Sequence, residues 1–182
     1  MSLLFLKTFA RDLDVGALWP TARGCVRRVL RNIDFSKRLV IVEYGPGTGA
    51  FTKELLANLS PDSKLLLIEK NGDFVRALRE KFAHDARVHL FHDSAEHVEE
   101  LLKKAGEPHA DYILSGIPFS RIPEPQAEGI LRATKRSLGN GVFLVYQYLP
   151  SVRRLISPFF ACITMKCLLW NVPPLFLVIA QR

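Results

Sequence analysis

From Leu39 onward, short apolar runs alternate with stretches whose apolar positions recur every three or four residues. The first rhythm is that of a buried strand and the second that of an amphipathic helix. The pattern predicts strands over 39–45 (LVIVEYG), 65–69 (LLLIE), 87–92 (RVHLFH), 110–116 (ADYILSG) and 141–149 (GVFLVYQYL). Helices are expected between them, over 48–59, 71–83, 95–105 and 124–138. Strands separated by helices of this length pair in parallel, because the chain needs a crossover to re-enter the sheet in the same direction. The tail breaks the rhythm: 158–170 and 173–182 are β-rich runs joined by the tight segment NVPP, so they run antiparallel. The expected fold is α/β, a doubly wound and mostly parallel sheet with an antiparallel strand at its end.

Residues 1–38 stand apart from that domain, which occupies 39–182. Leu3, Leu6, Phe9 and Leu13 fall on one helical face and Lys7, Arg11 and Asp14 on another, the pattern of an amphipathic helix. It has no basic segment ahead of the apolar stretch and no small-residue cleavage site, so a signal peptide is not expected. It is also too short to span a bilayer, which needs about 20 apolar residues. A second helix is predicted from Thr21, its N-cap, to about Arg31, with Arg23, Arg27, Arg28 and Arg31 giving a basic face.

A length of 182 residues fits one domain, and 48% hydrophobic with 24% charged residues excludes wholesale disorder. Cys25, Cys162 and Cys167 are odd in number and form no C-x-x-C pair, so neither a disulfide framework nor a zinc site is indicated, and a cytoplasmic location is expected. The net charge of +7 is uneven: residues 1–38 carry eight bases and three acids, and residues 141–182 carry four bases and no acids. Basic termini around a near-neutral middle suggest a surface facing something anionic, a membrane leaflet or nucleic acid.

The chemistry gathers at the strand ends. Glu43-Tyr44-Gly45-Pro46-Gly47-Thr48-Gly49 closes the first strand, and a glycine-rich turn there lets backbone approach a ligand closely. Gly45, Gly47 and Ala50 also satisfy the dinucleotide fingerprint, so the loop alone does not separate NAD from S-adenosylmethionine. Glu69, closing the second strand, suits the ribose hydroxyls of either cofactor. Asp93, after the third strand, can accept from an adenine amino group; Asp93 or Ser94 can equally cap the next helix. Ser115-Gly116-Ile117-Pro118-Phe119 closes the fourth strand at the lip of the cleft. His84, His89, His92, His97 and His109 show no i,i+4 pair with a supporting acid, so no metal is expected.

The order EYGPGTG, LIEKN, HDSAE and SGIPF at successive strand ends resembles the class I S-adenosylmethionine-dependent methyltransferases, whose Rossmann-like sheet has seven strands with helices on both faces. More closely, the chain resembles the bacterial phospholipid N-methyltransferases in Phe5-Leu6, Val15-Gly16-Ala17-Leu18-Trp19-Pro20-Thr21, Gly45 to Thr52, Ser115 to Pro118 and Asn171-Val172-Pro173-Pro174. This resemblance implies S-adenosylmethionine as cofactor, held by Thr21, Gly45, Pro46, Gly47, Thr48, Gly49, Glu69, Lys70, Asp93, Ser94, Ser115 and Ile117. It implies phosphatidylethanolamine and its mono- and dimethyl forms as substrates, at the inner face of the cell membrane. The ribosomal RNA adenine dimethylases share GPGTG-x-[FL]-T but resemble a different design at the fourth strand, N-[LI]-P-[YF], where the Asn side chain binds the amine. Here that place is Gly116, and the helical RNA-binding module of those enzymes has no counterpart before Arg182. A nucleic-acid partner is therefore not expected.

Direct displacement at a sulfonium methyl needs no protein nucleophile, only alignment and a neutral amine. A lipid primary amine with a pKa of about 10 is mostly protonated at neutral pH. Glu43, Tyr44, Ser115, Tyr146 and Tyr148 are the candidate groups near the strand ends for easing deprotonation or holding the cationic head group. Lys7, Arg11, Arg153 and Arg154 are the candidates for lipid phosphates and an anionic leaflet.

Overall fold

A computed structural model describes residues 23–169 and 174–181. The predicted N-terminal amphipathic helix, Lys7, Arg11, Thr21 and most of the NVPP turn lie outside the described residues. The strands are β1 (Val40–Tyr44), β2 (Lys64–Glu69), β3 (Val88–His92), β4 (Tyr112–Ser115), β5 (Val142–Gln147), β6 (Cys162–Leu168) and β7 (Leu175–Gln181). The helices are α1 (Arg23–Leu30), α2 (Ala50–Leu56), α3 (Gly72–Phe82), α4 (Val98–Lys104), α5 (Glu124–Ser137) and α6 (Val152–Ile156). They form one seven-stranded sheet in the order β3-β2-β1-β4-β5-β7-β6. β1 to β5 pair in parallel, and β7 enters antiparallel between β5 and β6.

Among the described residues the strands and helices predicted from Leu39 onward are present, most with shorter ends and β2 starting one residue earlier, and two details differ. Ala95–His97 is a separate 3-10 turn ahead of α4, capped by Ser94. The segment between β5 and the tail, where the sequence pattern predicts no element, carries α6, whose two buried residues, Val152 and Ile156, are one helical turn apart.

Strand alternation divides the core between the two faces of the sheet. Val40, Val42, Tyr44, Ile68, Phe143 and Val145 pack under α4, α5 and α6. Ile41, Leu65, Leu67, Leu114 and Leu144 pack under α1, α2 and α3, where Cys25, Val29, Phe51, Leu55 and Leu78 close the other layer. Burying both faces explains why the central strands read as continuous apolar runs. The sequence order reverses where β1 lies between β2 and β4, and the crevice beyond the carboxyl ends of these strands is where an open α/β sheet takes a ligand.

Candidate active site

The glycine loop leaves β1 through three positive backbone torsions, φ 63° at Gly45, 54° at Gly47 and 80° at Gly49. L side chains rarely adopt them, which accounts for glycine at these places. The three glycines divide the work. Gly45 and Gly47 line a cleft of about 440 Å³, and a Cβ on Gly47 would point into open space. Gly49 faces away: a Cβ there would lie 2.6 Å from Phe82 Cε2, so it serves the packing of α2 on α3. Pro46 is buried, and Thr48 lends its carbonyl to Lys81 Nζ at 2.8 Å.

Glu69 ties the loop to the second strand. Its Oε2 accepts from the Gly47 N–H at 3.1 Å and its Oε1 from the Asn71 N–H at 2.9 Å. The side chain lines the cleft although the residue is only 8% exposed. Burial pushes its carboxyl up, while the backbone N–H groups of Asn71, Gly47 and Lys70 oppose that rise. A carboxylate offers about four lone-pair directions, and the backbone contacts leave room on it for a vicinal diol. Asn71 meanwhile caps α3 by accepting from the Asp73 and Phe74 N–H groups.

Across the cleft, Asp93 Oδ1 accepts from the Ser94 N–H at 2.7 Å and lies 2.7 Å from His97 Nδ1. The His97 bond is the chief cause holding this carboxyl below its usual range. Oδ2 keeps no protein partner among the described residues and is available to an exocyclic amine. Ser94 lines the cleft, but its hydroxyl is engaged in the turn, donating to Glu96 Oε2 at 3.0 Å. Lys70 and Ile117 line the cleft, joined by Phe74 and Gln126, for which the sequence reading had no role. The backbone at Gly45 and Gly47, free of side chains, and the acceptor oxygens of Glu69 and Asp93 Oδ2 form a polar lining that fits an adenosine bearing an amino-acid arm.

Alternation separates the paired candidates at the end of β1. Tyr44 is a correction: it is fully buried on the α5 face, and its hydroxyl pairs with Thr134 Oγ1 at 3.1 Å, so it does not reach the cleft. Glu43 points to the opposite face, where Thr52 Oγ1 donates to its Oε2 at 2.7 Å and its Oε1 has no partner. Complete burial raises its carboxyl to about 8, with the Glu69 charge adding to the rise against the Thr52 bond. Ser115 is buried, and its Oγ accepts a long 3.4 Å bond from the Ile117 N–H. Tyr146 and Tyr148 pack on the Glu43 face, and Tyr146 stacks on Phe51 with ring centroids 4.3 Å apart. Arg153 and Arg154 are exposed on α6. Arg154 borders a separate surface groove with Glu124, Arg132 and Phe159, outside the glycine-loop cleft.

Among the described residues no three His, Cys, Asp or Glu side chains converge as a metal site, and no helix is long and apolar enough to cross a membrane. Fold and cleft together define a class I S-adenosylmethionine-dependent methyltransferase. Residues 21–119 match the family model described as ribosomal RNA adenine dimethylase. Over 174 residues the chain is 31% identical to an ornithine lipid N-methyltransferase of Singulisphaera acidiphila, covering 94% of this chain and 91% of that one. A ribosomal RNA small subunit methyltransferase A of Mycoplasma mycoides is 39% identical over 59 residues, 32% of this chain and 21% of that enzyme. The N-methyltransferase NodS from Bradyrhizobium japonicum superposes with a TM-score of 0.69 at 12% identity, over 88% of this chain and 95% of that one. This chain belongs to the methyltransferase family that unites these ribosomal RNA and lipid enzymes.

Proposed function

We propose that this protein transfers methyl groups from S-adenosylmethionine to the amine of a membrane lipid head group, with phosphatidylethanolamine and its partly methylated forms as acceptors. One observation carries the reading: similarity to a lipid N-methyltransferase runs the length of both chains, whereas the matched RNA enzymes share only a segment. When bound, the cofactor supplies an electrophilic methyl on a sulfonium sulfur and leaves as a neutral thioether.

The chain's own residues hold and orient. Glu69 receives the ribose hydroxyls, Asp93 Oδ2 the adenine amino group, and the Gly45–Gly47 backbone leaves room for the amino-acid arm. Ile117, Pro118 and Ile122 give the cleft an apolar lip, which disfavours the ammonium form of an incoming amine and lowers the cost of deprotonating it. Lys7, Arg11, Arg153 and Arg154 attach the protein to an anionic leaflet, each basic residue near such a surface contributing about 1 kcal/mol.

The test is purified protein with methyl-labelled cofactor and three acceptors in parallel: phosphatidylglycerol vesicles containing phosphatidylethanolamine, the same vesicles containing ornithine lipid, and ribosomal RNA. Label in the phosphatidylethanolamine fraction is expected. Label in ornithine lipid alone would move the substrate to that head group, and label in RNA alone would overturn the lipid reading.

A further inference from the structure

The end of β4 has a notch whose occupant comes from a different strand. A Cβ built on Gly116 would lie 2.4 Å from the Tyr146 hydroxyl oxygen and 2.7 Å from Tyr146 Cζ, so the phenol sits where a side chain at 116 would stand. Gly116 lines the glycine-loop cleft, and across from it a Cβ on Gly45 would be in ordinary contact with Ile117 Cγ1 at 3.6 Å. Two contacts hold the ring in place. Phe51, at the start of α2, stacks on it with planes 24° apart, and the neighbouring Gln147 side chain donates to the Ile117 carbonyl, binding the end of β5 to the tip of β4. The hydroxyl itself makes no hydrogen bond among the described residues.

Resting on the proposed lipid-amine function, we infer that the Tyr146 hydroxyl, lodged against Gly116, is the specificity contact that receives an N–H of the unmethylated or monomethyl amine. A hydroxyl that donated to the nitrogen would tie up the lone pair needed for attack, whereas one that accepts leaves that lone pair directed at the methyl carbon. Burial, with Glu43 the nearest cause after it, holds the phenol well above its ordinary range, so it stays neutral and orients the amine without deprotonating it. Gly116 is what admits the ring: any larger residue there would exclude the hydroxyl from this position.

Tyr146→Phe keeps the stacking on Phe51 and removes only the oxygen. Short-chain dihexanoyl phosphatidylethanolamine, titrated calorimetrically into the protein saturated with S-adenosylhomocysteine, should bind about tenfold more weakly to this variant, while affinity for S-adenosylhomocysteine is unchanged. KM for the amine should rise with it. Gly116→Ala should weaken the lipid analogue similarly by displacing the ring. Wild-type protein that binds and methylates the lipid, beside a Tyr146→Phe variant that does both equally well, would overturn this inference and leave the proposed function standing. Wild-type protein that methylates no amino lipid would overturn the function itself.

Discussion

Replacing Glu43 by glutamine removes a carboxyl that sits in the wrong solvent for its charge. Glu43 is fully buried, accepts one hydrogen bond from Thr52, and has its carboxyl raised from 4.5 to about 8. A folded state that binds the proton more tightly than the unfolded chain loses stability as pH rises between the two values, at about 1.4 kcal/mol per unit. From pH 5 to pH 8 the loss for this one group is on the order of 4 kcal/mol. Glutamine carries no such proton, and its Oε1 can still accept from Thr52. Urea unfolding of both proteins at pH 5, 6.5 and 8 measures the difference directly, since every other titrating group is common to the pair. The variant should gain on the wild type steadily across that window and be the more stable protein at pH 8. Two parallel stability curves would refute the reasoning, because they would mean that Glu43 titrates alike in the folded and unfolded chains.

Glu69→Ala should lower affinity for S-adenosylhomocysteine by about a hundredfold, the equivalent of two hydrogen bonds to a charged acceptor at the low end of their range. Calorimetric titration checks this, and circular dichroism should show the fold retained. Gly49→Ala places a methyl 2.6 Å from Phe82 in a backbone conformation with φ 80°, so strain and overpacking together should cost about 2–4 kcal/mol in urea unfolding.

The sheet was legible because its central strands are buried on both faces, which leaves unbroken apolar runs, and because glycine and acidic residues mark their ends. α6 was not: Val152–Ile156 is too short for a helical period to emerge from VRRLI. At the site, the glycine loop and Glu69 could be named from their places in the sequence. The pair Glu43 and Tyr44 could not be resolved until the strand fixed which neighbour faces α2 and which faces α5; adjacent residues on a strand never share a face. Asp93 reads as a ligand group or as a cap; in the fold Ser94 is the cap, and Asp93 Oδ1 is taken by the Ser94 N–H and by His97. Thr52 was visible only as a motif letter, and its bond to Glu43 appears once α2 lies over β1. The meeting of Tyr146 with Gly116 spans thirty positions and depends on the parallel register of β5 against β4, which pairs Ser115 with Val145 and which no local periodicity encodes.

The insertion of β7 between β5 and β6 has a consequence for biogenesis. As the chain leaves the ribosome, β5 presents a bare flank and β6 emerges with no strand to pair with, because its ladder partner is made after it. A released chain truncated between Leu168 and Leu175 therefore carries two sticky edges at once, the condition under which neighbouring polypeptides zip together.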